Sequence, residues 1–155
     1  LATALSAWGD GMVSISAAYK RNGYEDARNV AKKLIGDLYG YSSGSVLFKP
    51  TLSGGDQTFR TSEDGALSYF VGGNSDYPHD SGFAIKGWKQ VFSDAKAVFL
   101  DENIALWMGW VTLVNKDRQS TKVDKSFGFK LCKRRHLKIV LHHSSLPYQN
   151  QSETL

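Results

Sequence analysis

Two stretches near the N-terminus carry apolar residues at steps of three and four, which is the spacing of an amphipathic helix. The first stretch ends near Asn22-Gly23, and its apolar positions are Leu5, Trp8, Met12, Ile15 and Tyr19. The second follows the acidic pair Glu25-Asp26, ends at Gly40, and buries Ala27, Val30, Ala31, Leu34, Ile35 and Leu38. Each helix has a single apolar face, so both must cover another apolar layer.

From Val46 onward the pattern changes to strands. A short strand, 46–48, stops at Pro50, and a short helix begins at Ser62 and breaks at Gly72-Gly73. The final third predicts four longer strands over 89–100, 104–114, 121–132 and 136–143. Short polar turns join them, which predicts antiparallel pairing. The expected fold is therefore α+β, with N-terminal helices packed on a curved, mainly antiparallel sheet.

The strand 104–114 carries apolar side chains on both of its faces. Ile104, Leu106, Met108 and Trp110 share one face, and Ala105, Trp107, Val111 and Leu113 share the other. Helices on one side of a sheet leave its second face open to water, so an apolar second face needs a further cover. The simplest cover is another copy of the chain, and we expect a homodimer formed through the sheet.

Composition fits one ordinary globular domain. The 155 residues are 41% hydrophobic, 12% aromatic and 22% charged, and they include three prolines. Cys132 is the single cysteine, which excludes an internal disulfide and a cysteine-based zinc site. No apolar run is long enough to span a membrane, so no membrane partner is expected. Because the chain begins at Leu1, we expect it to be a piece of a longer protein, and its compartment is not determined by the sequence.

Most of the net charge of +4 comes from one basic stretch, residues 116–138. Nine lysines and arginines lie there, offset by Asp117 and Asp124. With Trp107, Trp110 and two phenylalanines nearby, this stretch could contact a nucleic acid. Charges that alternate along strands more often form a solvated face that discourages edge pairing, and we favour that interpretation. No nucleic-acid partner is expected.

The end of the last strand, His142-His143-Ser144-Ser145, is the most polar strand end in the chain. His142 and Ser144 share one face of a strand, and His143 points to the other. A metal site would need His142 to recruit His79, Asp80 or Cys132 without a recognisable ligand spacing. Histidines that are satisfied by their neighbours are the more common case. Thr51 and Tyr69 are, from spacing alone, an ordinary turn residue and an ordinary core residue.

Several motifs in one order resemble those of the iota-class carbonic anhydrases. The resemblance runs from about Tyr39 to Tyr148, and its segments are 46–51 (VLFKPT), 59–61 (FRT), 65–74 (GALSYFVGGN), 82–85 (GFAI) and 141–148 (LHHSSLPY). That class is related to the calcium/calmodulin-dependent kinase II association domain and to the cone-shaped nuclear transport factor 2-like fold. The resemblance implies a single domain over 1–148, followed by a polar tail over 149–155.

The resemblance also implies an activity and a site. The activity is reversible hydration of carbon dioxide to bicarbonate, without a metal or other cofactor. Thr51, Tyr69 and Ser144 correspond to the hydroxyls that hold bicarbonate. We add His142 as a substrate-binding residue that either relays the proton or fixes the hydroxyl of Ser144. A tyrosine with the ordinary pKa near 10 does not act as a base at neutral pH, and the sequence does not show what would lower its pKa.

Other functions stay open at this point. The first alternative is a non-catalytic dimerising association domain with a vestigial pocket, and the second is an isomerase or cyclase of the same cone fold. Enzymes of that second kind place a carboxylate or histidine base deep in the pocket, and the matching motifs offer only Glu63 and Asp64 at a helix start. The family's associations favour a plastid, if the source is an alga, or otherwise a bacterial cytoplasm.

Overall fold

Five strands form one mixed sheet, and three helices cover one of its faces. The computed structural model describes residues 1–149. The helices are α1 (Ala2–Asn22), α2 (Tyr24–Leu38) and α3 (Glu63–Val71), and the strands are β1 (Leu47–Lys49), β2 (Trp88–Leu100), β3 (Ile104–Asn115), β4 (Ser120–Leu131) and β5 (Leu137–Ser145). The predicted helices and strands are confirmed to within a few residues. The domain limits 1–148 stay a prediction, and the predicted tail 149–155 lies, apart from Gln149, outside the described residues.

The strand order in the sheet is β1-β5-β4-β3-β2. The four long strands pair antiparallel in chain order, as predicted. Irregularities in register at Ala95/Ala97 and Gly128/Phe129 interrupt the ladders, and such bulges bend a sheet. The short strand β1 instead pairs parallel to β5, with Phe48 opposite His142. This pairing was not predicted, and it brings the segment after β1 to the polar end of β5.

The first helix approaches its neighbours closely at two glycines. A β-carbon at Gly9 would lie 3.1 Å from the Val91 side chain, and one at Gly11 would lie 2.5 Å from Leu34. Gly9 therefore lets α1 lie against β2, and Gly11 lets it lie against α2. The sequence shows these residues as weak helix formers, whereas the fold uses them as points of contact between layers.

Helix α3 begins at a side-chain cap and is buried along its whole length after the first turn. The N–H of Gly65 donates to the hydroxyl of Ser62 at 3.2 Å, and Glu63 and Asp64 carry negative charge where the helix dipole favours it. Residues 65–71 are all buried. Because α3 is so deeply enclosed, the hydroxyl of Tyr69 is held inside the protein rather than at its rim.

The two faces of β3 differ in exposure. Ala105, Trp107, Val111 and Leu113 are buried under the helices, whereas Leu106 is 41% exposed and Met108 is 58% exposed. In the single chain the second apolar face is thus open. A groove of about 380 Å³ crosses this face. We call its central residues the outer patch, defined as Phe99, Leu106, Met108 and Leu141.

No helix within residues 1–149 is long and apolar enough to cross a membrane.

Candidate active site

Thr51 and Ser144 meet at the junction of β1 and β5. Their hydroxyl oxygens are 2.6 Å apart and form a hydrogen bond. Ser144 is 0% exposed, and its backbone carbonyl accepts a hydrogen bond from the Lys49 ammonium at 2.7 Å. The parallel pairing of β1 with β5 is what brings these residues together, although 93 positions separate them in the chain.

The third hydroxyl of the predicted set, that of Tyr69, reaches the same junction from α3. It accepts a hydrogen bond from the backbone N–H of Leu52 at 3.2 Å, directly after Thr51. The ring stacks on Phe83 and meets the ring of Phe48 edge to face. The structure therefore brings the three predicted hydroxyls together on one side of the core.

Burial governs the protonation of Tyr69. It raises the pKa of the phenol to about 12, although hydrogen bonds from the Leu52 N–H and the Thr51 hydroxyl act in the opposite direction. Near neutral pH the phenol keeps its proton. Tyr69 can donate a hydrogen bond to a bound oxygen, but it is not a base for the reaction that the resemblance implies.

His142 lies on the buried face with Ser144, as the strand alternation predicts. Its ring is enclosed between Phe48 and Phe127, with centroid distances of 4.6 Å and 4.4 Å. Burial, assisted by Lys125 and His143, lowers the pKa of the imidazole well below 6.5, so the ring is neutral.

Both ring nitrogens of His142 bond to the protein. Nδ1 is 2.8 Å from the Tyr39 hydroxyl, and Nε2 is 2.8 Å from Nζ of Lys125. The hydroxyl of Ser144 bonds to Thr51 instead, so His142 does not fix it directly. That version of the predicted role is not what the geometry shows.

Lys125 is a functional candidate that the basic stretch of the sequence conceals. The sequence predicts a solvated basic stretch here, but Lys125 is 3% exposed and lies opposite Ser144 in the β4–β5 register. Its Nζ is 4.6 Å from the centre of the Trp8 ring. The alternation along β4 carries the missing signal, because Val123, Lys125 and Phe127 share the face that is buried.

A buried ion pair fixes the loop beside Tyr69. Arg60 donates to both oxygens of Asp80, at 2.7 Å and 2.8 Å, and Ser68 of α3 donates to the same carboxylate at 2.6 Å. The Arg60 guanidinium also lies over the ring of Tyr77, 4.5 Å from its centre. The pair joins the segment after β1, helix α3 and the loop 77–80 into one unit.

Several buried apolar side chains lie near the hydroxyls, and the cavity beside Tyr69 is small. Phe48, Leu67 and Phe70, which we expect to shelter carbon dioxide, are all buried. A cavity of about 30 Å³ adjoins Tyr69 on the side away from Thr51 and Ser144, and Leu52, the loop 79–83 and Lys86 line it. This volume suits a molecule of a few atoms rather than an extended ligand.

The ligands considered for a metal do not gather. Asp80 is engaged by Arg60, and His142 by Tyr39 and Lys125. Within residues 1–149, no group of three or more histidine, cysteine, aspartate or glutamate side chains could hold a metal ion.

Comparisons with known proteins point to one family. A family model described as metal-independent carbonic anhydrase matches residues 1–146. A relative from Nostoc sp., named a metal-independent carbonic anhydrase, is 44% identical over 146 residues, which cover 94% of this chain and 71% of the relative.

The solved structures agree. The chain resembles an iota-carbonic anhydrase from a cyanobacterium, complexed with bicarbonate, at a TM-score of 0.94 and 44% identity, covering 96% of this chain and 90% of the other. A putative calcium/calmodulin-dependent protein kinase II association domain from Xanthomonas campestris matches at a TM-score of 0.59 and 20% identity, with coverage of 96% and 86%, and shares the fold alone. An NTF2-like protein from Pseudomonas putida KT2440 matches at a TM-score of 0.52 and 10% identity, with coverage of 83% and 81%, so the predicted α+β fold of the nuclear transport factor 2-like type is confirmed.

Proposed function

This chain belongs to the metal-independent carbonic anhydrase family, and we propose that it hydrates carbon dioxide at a site formed by the hydroxyls of Thr51, Tyr69 and Ser144. The expected enzyme class, carbonic anhydrase, is confirmed. The observation that supports this site is the 2.6 Å hydrogen bond between Thr51 and Ser144, next to the hydroxyl of Tyr69. Bicarbonate, which the cyanobacterial structure contains, is the expected ligand.

The three hydroxyls can donate hydrogen bonds to the substrate oxygens and can orient the attacking water. The hydrogen bond between Thr51 and Ser144 uses one of their two protons, and the other, which the Thr51 hydroxyl directs to Tyr69, can turn to a substrate oxygen when one is bound. Tyr69, which keeps its proton, supplies a second donor. Donors that are fixed before the reaction stabilise the negative charge that develops on the oxygens as bicarbonate forms. Lone pairs on the three hydroxyl oxygens of the protein accept hydrogen bonds from the attacking water and orient it.

The apolar walls strengthen these contacts. Carbon dioxide carries no net charge and needs few hydrogen bonds, so Phe48, Leu67 and Phe70 can accommodate it at little cost. Excluding bulk water lowers the local dielectric constant and makes each hydrogen bond to the charged product stronger. We keep His142 in the proposed site as a residue that supports it rather than as a direct ligand, because its two nitrogens already bond to Tyr39 and Lys125.

A hydration assay on chelator-treated protein tests the site. We expect the wild type to keep its activity after chelation, and Tyr69→Phe to lower the rate about tenfold, which corresponds to the loss of one hydrogen bond to a charged group. The ring of Tyr69 and its contacts with Phe48 and Phe83 remain in this variant. Tyr19→Phe, on the exposed face of α1, is the matched control and should be unchanged. Loss of wild-type activity on chelation, or an unchanged rate in Tyr69→Phe, would contradict the proposal.

We also propose that a second copy of the chain covers the outer patch. Met108 is 58% exposed and Phe99 is 61% exposed, and the groove beside them is lined almost wholly by carbon. Monomers rarely present so continuous an apolar surface. In a two-fold dimer the same surface faces itself, and an apolar patch is complementary to its own copy.

Sedimentation velocity tests the dimer. We expect the wild type to sediment as a dimer at micromolar concentration and Met108→Glu to sediment as a monomer, because the carboxylate would be buried without a partner. Phe59→Glu changes an equally exposed apolar residue away from the sheet and should stay dimeric. A monomeric wild type rules out this interface.

For the compartment, we propose a bacterial cytoplasm or a plastid. The bacterial origin of the 44% identical relative supports the cytoplasm, and the plastid applies if the source is an alga. Immunodetection in fractionated cells of the source organism tests the assignment, and signal confined to the medium would overturn it.

A further inference from the structure

Lys125 is a buried lysine next to the proposed site. It lies under the helices, in contact range of the Trp8 ring, and its amine is 2.8 Å from Nε2 of His142. Within residues 1–149 it has no carboxylate at salt-bridge distance. A buried ammonium without a counter-ion is strongly unfavourable. A lysine in this position is suited to chemistry that uses the neutral amine.

Hydrogen-bond directions support a neutral amine. The indole N–H of Trp8 can only donate, and it donates to the Tyr39 hydroxyl at 3.0 Å. The proton of Tyr39 then has Nδ1 of His142 as its acceptor, at 2.8 Å. With Nδ1 accepting, the ring proton lies on Nε2 and points at Lys125. The amine must supply a lone pair to this hydrogen bond, and only the neutral form has one.

We propose that the neutral amine of Lys125 takes up the proton that is released when water attacks carbon dioxide, and that His142 positions this amine. The proposal rests on the site proposed above. Lys125 lies opposite Ser144 across two adjacent strands, and directly opposed side chains in a sheet have β-carbons about 5 Å apart. Nζ of Lys125 bonds to His142 and the Ser144 hydroxyl bonds to Thr51, so a proton from the attacking water would reach Nζ through one bridging water between the two side chains.

The atoms balance in this step. The water oxygen bonds to carbon, one carbon–oxygen π bond shifts its electron pair to oxygen, and the proton lost by the water forms an ammonium on Lys125. Loss of that proton to buffer in solution restores the amine. In the reverse direction the ammonium protonates the hydroxyl of bicarbonate, and water leaves.

The electrostatic surroundings match this role. Burial and, to a smaller extent, the charge of Lys49 on β1 lower the pKa of Lys125 to about 7, while Asp124 on β4 acts in the opposite direction. The other titratable groups along this hydrogen-bonded chain are His142 on β5 and Tyr39 after α2, and both stay neutral near pH 7. A proton acceptor works best when its pKa lies near the operating pH.

The test compares Lys125→Met with Lys122→Met in the full chain. Methionine fills the space of the lysine but cannot accept a proton, and Lys122 lies on the same strand with its amine over Trp110 instead of in the core. By stopped-flow hydration we expect Lys125→Met to lose about tenfold or more in rate, and to lose the rise of rate with pH near 7. Lys122→Met should keep both. An unchanged rate and pH profile in Lys125→Met would overturn the Lys125 proposal, and an active wild type would still support the hydroxyl site. An inactive wild type would instead refute the hydroxyl site.

Two further measurements separate proton transfer from a structural role. Lys125→Ala leaves a cavity, and added methylamine should restore part of the rate in this variant but not in Lys125→Met. In the wild type, nitrogen NMR of the lysine side chains should show one amine that titrates near pH 7. Titration of all lysines near their ordinary value of about 10.4 overturns the proposal, whether or not the variants fold.

Discussion

Arg60→Met is expected to lower the free energy of unfolding by about 3–5 kcal/mol, because it leaves the Asp80 carboxylate buried without its cation. The two side chains are 3% and 6% exposed, and both carboxylate oxygens accept from the guanidinium. The arginine also donates to the carbonyls of Gln57 and Gly65, and these acceptors would lose their partner as well. Urea denaturation followed by tryptophan fluorescence gives the free energy directly.

The control for this prediction is an exposed ion pair of the same kind. Arg21 lies 3.3 Å from Asp26 and is 65% exposed, so Arg21→Met should change the stability by less than about 1 kcal/mol. If Arg60→Met proves as mild as Arg21→Met, the pair does not fix the loop beside Tyr69. Asp80→Asn in the Arg60→Met background should recover part of the loss, because it removes the unpaired charge.

The helices and the long strands follow from their apolar periodicity. The stripe from Leu5 to Tyr19 and the capped start at Ser62 are local signals, and the structure places α1 and α3 where these signals predict. The pairing of β1 has no such signal. Three residues are too few to show a period, and a parallel partner 94 positions away along the chain leaves no trace in the neighbouring sequence.

The site shows the same division between local and distant information. Thr51, Tyr69 and Ser144 are ordinary residues by spacing, and only the resemblance to a family singles them out. Their meeting depends on the β1–β5 pairing, which cannot be read from the residues themselves. His142 and Ser144, by contrast, share a face because they are two positions apart in one strand, and that relation was predictable.

Lys125 illustrates how charge can obscure position. It lies in a run of basic residues, and composition assigns such a run to solvent. The strand period assigns Lys125 to the face of Val123 and Phe127, and the structure follows the period. Where the two signals disagree, a buried charged residue is a candidate for function, since burial without a counter-ion is otherwise unfavourable.

The non-catalytic alternative shares the fold but not the family. The association domain from Xanthomonas campestris matches at 20% identity, which shows the fold alone, whereas the Nostoc sp. relative at 44% identity is named for the activity.

Of the three hydroxyls in the proposed site, we expect that of Ser144 to matter most for the rate. Ser144 is fully buried, and its hydroxyl hydrogen-bonds to that of Thr51. Ser144→Ala therefore removes the serine hydroxyl and leaves the Thr51 hydroxyl without this hydrogen bond. Loss of a preorganised donor at a developing negative charge lowers the rate by about 10²–10³-fold. The change from serine to alanine removes one atom from the core and should leave the fold intact. Ser145→Ala, on the neighbouring residue of β5, should have little effect.

The stopped-flow rate of carbon dioxide hydration by chelator-treated Ser144→Ala, measured beside the wild type and Ser145→Ala, tests the proposed site most directly. We expect the hydration rate of Ser144→Ala to fall by about two to three orders of magnitude while that of Ser145→Ala matches the wild type. A folded Ser144→Ala that hydrates carbon dioxide at the wild-type rate would show that the chemistry takes place without these hydroxyls.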